Sequence, residues 1–201
     1  MTRSRLYAAL IAPVAIVSLS GCGINSIPTA EEEAKARWAD VQNQYQRRAD
    51  LIPNLVASVQ GAAAQERNVL REVTEARASA TRITISPEQL RDPDAMRAFS
   101  EAQGRLSSAI IPLQRLQEAY PQLQTNQNFL TLQSQLEGTE NRITIARTDY
   151  NKAVQAYNTQ IRTFPAVIGA KIFYGAEPMV PFEATTPNAE QAPKVDFGNG
   201  Q

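Results

Sequence analysis

The chain has 201 residues, 43% of them hydrophobic, which is enough for one domain with a single core plus a targeting segment and a tail. Lysine and arginine together number 20, as do aspartate and glutamate, so no basic excess suits a polyanion and nucleic acid is not an expected partner. Histidine is absent and cysteine occurs once, which removes the usual transition-metal ligands, the commonest general base and any internal disulfide.

First in chain order is a targeting segment. Arg3 and Arg5 precede an apolar run from Leu6 to Leu19. The run is too short to cross a bilayer comfortably, because a spanning helix needs about 20 residues. It closes on Leu19-Ser20-Gly21-Cys22, which resembles the lipobox of bacterial lipoproteins, a long apolar residue and two small ones before a cysteine that receives lipid. Residues 1–21 are therefore expected to be a signal peptide, and Cys22 the lipidation site that holds the chain on a membrane. A free thiol or an intermolecular bridge is the alternative for a lone cysteine. The resemblance implies the cell envelope, and Gly23, where aspartate tends to retain such proteins at the inner membrane, favours the outer membrane of a cell with two. Residues 22–30, interrupted by Pro28, are expected to form a lipidated tether.

Helix is expected from Glu31, with Thr29 as cap and Glu31 to Glu33 set against the helix dipole. Trp38, Val41, Tyr45, Ile52, Leu55, Val59, Leu70 and Val73 keep helical spacing as far as Ala80. Pro53 predicts a kink or restart at Asp50. Ser86-Pro87-Glu88-Gln89 reads as a capping box opening a second helix along Met96, Phe99, Leu106, Ile110 and Leu113, with Pro112 kinking it and Pro121 stopping it. A third helix starts near Thr125 or Asn126, runs through Phe129, Leu136, Ile143, Tyr150 and Tyr157 to Phe164, and ends at Pro165. No strand is expected. The apolar segment Ala166 to Tyr174 is expected to pack back on the bundle, and residues 176–201, rich in Pro and Gly, to form a mobile tail. The fold class is thus all-α, an elongated antiparallel helical bundle over residues 31–175, with three long helices plus a short fourth or a kinked first.

Catalysis has no support in the sequence. Acids such as Glu66, Glu72, Glu75, Glu101, Glu118 and Asp149 recur on polar helix faces, and neither a phosphate-cradling loop nor a nucleophile elbow occurs. No catalytic residue, metal site or cofactor is expected. One cluster, Arg47, Arg48, Asp50 and Asn54, concentrates polar groups at the supposed helix junction. It reads either as caps and interhelical bonds or as a partner-binding patch. Glu140-Asn141-Arg142, Arg147, Tyr150-Asn151 and Tyr157-Asn158 repeat polar groups beside the apolar seam, as interhelical hydrogen bonds fixing register or as a ligand site.

These stretches carry a resemblance. Arg47-Arg48-Ala49-Asp50-Leu51-Ile52-Pro53-Asn54-Leu55-Val56 resembles the hallmark of LemA family proteins. Val73-Thr74-Glu75-Ala76-Arg77, Glu118-Ala119-Tyr120-Pro121, Leu136 to Ile143, Arg147-Thr148-Asp149-Tyr150-Asn151, Tyr157-Asn158 and Phe164-Pro165 follow in the family's order. The resemblance covers about residues 35–185 and implies a four-helix-bundle-like domain on a membrane anchor, with no established enzymatic activity or cofactor. Many relatives carry an uncleaved transmembrane helix where this chain has a segment that resembles a lipobox. The expected function is a non-catalytic scaffold or interaction module with an envelope protein as partner. The alternative is a carrier or sensor of a small amphipathic ligand held in the bundle.

Overall fold

The computed structural model describes residues 25–183. The expected signal peptide, Cys22 and everything after Glu183 lie outside the described residues. Among the described residues there is no strand, in agreement with the all-α reading.

Helix α1 spans Ser26–Ala62. It begins inside the stretch expected as tether, because the first turn of a helix needs no N–H from Pro28 and Ile27 is fully buried. Thr29 is no cap; its Oγ1 donates to the carbonyl of Asn25 at 3.0 Å. The expected restart at Asp50 does not occur. Asp50 instead accepts a hydrogen bond from Gln46 within the helix, at 2.7 Å. Pro53 removes one backbone bond, at a cost of about 3 kcal/mol. It sits exposed, while Ile52, Leu55 and Val59 around it are buried. Each such aliphatic side chain contributes about 1.5–3 kcal/mol, so burial of the inner face outweighs the proline.

The chain turns instead at residues 63–66, and α2 (Arg67–Arg82) folds back, its Arg77 Nε donating to the carbonyl of Ala49 at 2.7 Å. The stretch expected as one helix to Ala80, kinked or restarted at Asp50, is thus two helices divided at residues 63–66. Ser86-Pro87-Glu88-Gln89 opens only a 3₁₀ turn, Glu88–Arg91, although the backbone N–H of Ser86 does donate to Gln89 Oε1 at 2.9 Å. The second long helix, α3 (Pro93–Ala119), starts at the next such signal: Asp92 caps it, accepting from the N–H groups of Asp94 and Ala95, and Pro93 takes the first position. Pro112 lies inside α3 without ending it. A single turn, α4 (Pro121–Gln124), follows. Helix α5 (Gln127–Gln160) starts close to where it is expected, capped by Asn126, but ends before Pro165, so Phe164 falls outside it. The turn α6 (Ala166–Gly169) continues into a π-helical turn, Ala170–Tyr174.

Helix α1 packs along α5 and α2 packs along α3, with a lighter contact between α1 and α2. Trp38 against Tyr150 and Arg48 against Glu140 set an antiparallel register for α1 and α5. Two apolar clusters fill the interior. One gathers Trp38, Tyr45, Phe99, Tyr150, Tyr157 and Met179; the other gathers Ile52, Leu55, Leu106, Leu113, Phe129 and Leu136.

Candidate functional site

Between the two clusters lies a polar layer. Arg48, Gln103 and Thr139 are the buried polar side chains among the described residues, and Arg48 is only 1% exposed. The α1 residues Tyr45, Arg48 and Ile52 lie one turn apart, so the face that buries aromatic and aliphatic groups must also bury the guanidinium. Arg48 Nη1 donates to Ser107 Oγ at 2.7 Å and Glu140 Oε1 at 3.0 Å; Nη2 donates to Gln103 Oε1 at 2.6 Å and the Gln103 carbonyl at 3.2 Å. The guanidinium carbon also lies 5.0 Å from the centre of the Tyr45 ring, within cation–π range. Gln103 Nε2 passes the link on to the Ala80 carbonyl at the end of α2, 3.2 Å away. One side chain thus ties α1, α3 and α5 directly and α2 through Gln103. Burial also raises the Tyr45 hydroxyl above its ordinary pKa, with Arg48 and Arg147 pulling the other way.

The rest of the expected polar cluster is not part of this layer. Arg47, Asp50 and Asn54 are exposed; Asp50 bonds within its own helix, and the Asn54 carbonyl accepts from Ser58 Oγ at 2.9 Å. Helical geometry accounts for the split: Arg48 shares the inward face with Tyr45 and Ile52, whereas positions 47, 50 and 54 are each turned about 100° or more away from it. Glu140 was singled out by sequence; Gln103 and Ser107, lying in an ordinary amphipathic stretch, were not.

The second polar system lies on α5. Residues 176–183, expected as the start of a mobile tail, run extended over the bundle as a strap. Gly175, in the left-handed region at φ 53°, turns the chain out of the π-helical segment, a conformation glycine adopts without penalty. Asn158 brackets Met179, donating to its carbonyl at 2.8 Å and accepting from its N–H at 2.9 Å. Asn151 brackets Phe182 in the same way, at 3.0 and 2.8 Å. The Tyr157 hydroxyl donates to the Glu177 carbonyl at 3.1 Å, and that of Tyr150 to the Val180 carbonyl at 2.9 Å. Arg147 reaches the Glu183 carbonyl at 3.1 Å and lies over the Phe182 ring.

The spacing explains the fit. Two Tyr-Asn pairs seven residues apart on a helix are about 10.5 Å apart, and three residues of extended chain cover about 10 Å. In the sequence these side chains read as interhelical bonds or a ligand site; in the structure they hold the chain's own strap. Met179 and Phe182 are thereby pinned in the first cluster, Phe182 stacked on Trp38 with ring centres 5.5 Å apart.

What remains open is a groove of about 1340 Å³ along α3, lined also by α2, α5 and the strap. Its α3 side includes a row of small residues, Ser100, Gly104, Ser107 and Ser108, flanked by larger ones such as Met96, Arg97 and Arg105, with Arg48 below. A Cβ on Gly104 would meet nothing within 4 Å. The acids at its edge, Glu72, Glu75 and Glu101, stand exposed on helix faces. Among the described residues no group of acidic side chains is placed to hold a metal ion.

An α-helical bundle whose buried polar groups bind its own helices and strap is defined by architecture, and the class is that of four-helix-bundle-like modules. Residues 37–197 match the LemA family, and the chain belongs to that family. Its relatives include magnetosome proteins MamQ 2 and MamQ 1 of Paramagnetospirillum magneticum, each 26% identical over 172 residues that cover 78% of this chain and 63% of theirs. Magnetosome protein MamQ of Magnetospirillum gryphiswaldense is 25% identical over 176 residues, 80% of this chain and 65% of its own. The chain thus spans less than two thirds of these relatives' length.

Proposed function

We propose that this protein is a membrane-anchored envelope lipoprotein, held by lipid on Cys22, that works as a non-catalytic scaffold for another envelope protein. The observation that carries the reading is the open groove on α3, where a row of small side chains lets a partner backbone approach closely. Both terminal nitrogens of Arg48, the Gln103 amide and the Asn158 amide are already engaged with the chain itself. Attachment is assigned to Cys22 on the strength of Leu19-Ser20-Gly21-Cys22; among the described residues no helix is long and apolar enough to cross a membrane. Gly23 favours the outer membrane where there are two. The relatives found are named for the magnetosome and not for a reaction. A carrier of a small amphipathic ligand is the weaker reading, because this groove is open and rimmed by charged side chains such as Glu101 and Arg105.

Two experiments test this. Labelling with a fatty-acid probe, compared with Cys22→Ala, should give lipid and membrane attachment only in the wild type; attachment of the variant without label would mean that residues 6–19 act as an anchor. A photo-crosslinker at Ser108 should capture one envelope protein, and Gly104→Trp, which fills the groove from an unobstructed position, should abolish the capture without lowering the melting temperature. Capture that survives Gly104→Trp would place the partner elsewhere and sink the groove assignment.

A further inference from the structure

Large apolar side chains gather in solvent at one end of the bundle. Phe164 is 80% exposed, Ile172 71% and Phe173 68%, and Ile168 and Tyr174 are about half exposed. Elsewhere the exposed large apolar residues Ile111, Leu130 and Ile145 are scattered singly over α3 and α5, which needs no explanation. Five large apolar side chains exposed within eleven residues of one segment mark a surface that something covers. The expected packing of Ala166 to Tyr174 onto the bundle is met only by its small residues: Gly169 and Ala170 face inward and the large side chains face out. The backbone is held in this sense, since the N–H of Ala176 donates to the Ala170 carbonyl at 3.0 Å.

The patch shares its end of the bundle with the start of α1. The antiparallel register that sets Trp38 against Tyr150 and Arg48 against Glu140 carries on to bring Ile27 level with Ile161, and both belong to the cluster that holds Ala170. Ser26 is four residues from Cys22, a distance of at most about 14 Å even in extended chain. From Ile161 to Gly175 the chain carries Arg162 and Lys171, both exposed, and no acidic residue. Aromatic and aliphatic groups beside cations are what the boundary between headgroups and acyl chains selects.

We propose that this end of the bundle is a direct membrane contact, in which Phe164, Ile168, Ile172 and Phe173 enter the headgroup boundary and Arg162 and Lys171 meet anionic headgroups. The contact rests on the anchor reading, because Cys22 is what brings this end to the bilayer. It makes the bundle stand on the membrane with a fixed end down, where a lipid anchor alone would leave it free to tumble.

Photo-crosslinking in a bacterial host that acylates lipoproteins tests the contact on the full chain. A benzophenone side chain is placed at residue 172 or 173, with residue 145, exposed on the side of α5 and about 24 Å from this end, as the control. Phospholipid adducts at 172 and 173 and none at 145 are expected. Adducts to a second copy or to another protein at 172 and 173 overturn the proposal, as do lipid adducts of equal yield at 145. Fractionation of the same cells separates the two readings. A chain found in the membrane without lipid adducts at 172 rejects the patch and leaves Cys22 as anchor; a chain absent from the membrane rejects the anchor and the patch with it.

Discussion

Arg48 is a charge held between two apolar clusters, and its four hydrogen bonds are what make that position tolerable. Arg48→Met would keep much of the volume but leave Gln103 and Ser107 short of partners. We expect a loss of about 3 kcal/mol, read as a fall in the urea midpoint with unchanged slope. Glu140 is 42% exposed and can turn to water, so Glu140→Gln should cost no more than about 1 kcal/mol. Equal losses for the two variants would mean that the ion pair, and not the bonds to α3, carries the layer. Arg48→Lys should not rescue, because an ammonium cannot reach three partners from one planar fork. Gly104 poses the opposite case. Its added Cβ has open space, so Gly104→Ala should raise stability by about 0.5–1 kcal/mol through the helix backbone alone.

Among the elements, the helices were legible because the apolar period survives wherever a face is buried. The prolines misled for the same reason in reverse. Pro53 carries a local signal worth about 3 kcal/mol, whereas the buried row from Trp38 to Val59 is a tertiary term several times larger, visible only once α5 is known to lie against it. Ser86 and Asp92 each offer a plausible start, and the first stops at a 3₁₀ turn because Asp92, directly before Pro93, is extended and cannot continue a helix. The strap was illegible because its bonds come from α5 to its main chain, and Pro178 and Pro181 read as disorder when taken alone. Asn158→Ala should remove two bonds and cost about 2 kcal/mol, most directly seen as faster exchange of the Met179 amide proton. Unchanged exchange there would mean that Met179 and Phe182 packing holds the strap without the amide bracket. Beside the same cluster, Glu31 links α1 to the 3₁₀ turn through Arg91 at 2.8 Å. Partial burial pushes its carboxyl up, but hydrogen bonds and charge from Lys35 and Arg91 outweigh this and hold it below the ordinary 4.5. A depressed carboxylate stabilises the fold above its unfolded pKa and ceases to do so as pH falls through the folded one. Unfolding in acid should therefore be shifted to higher pH by Arg91→Ala, and identical acid transitions in the two proteins would show that the link contributes nothing.

At the scale of the whole molecule, α1 is about 55 Å long, and Arg48 sits some 33 Å along it from Ser26. With the apolar end at the bilayer, the groove on α3 would open well above the headgroups, towards proteins that project from the membrane. The strap closes the same half of the bundle that carries the patch, so the end proposed to meet lipid is also the end with the densest aromatic packing. The seven-residue repeat on α5 and the three-residue repeat of the strap behave like two gears of different pitch. Adding one residue between Tyr150 and Tyr157 would swing the second Tyr-Asn pair about 100° off the strap, and adding one between Met179 and Phe182 would carry the next carbonyl about 3 Å past its partner. Seven residues in the helix with three in the strap would leave the teeth engaged, so in this half of the molecule the two segments can lengthen or shorten only together and only in that ratio.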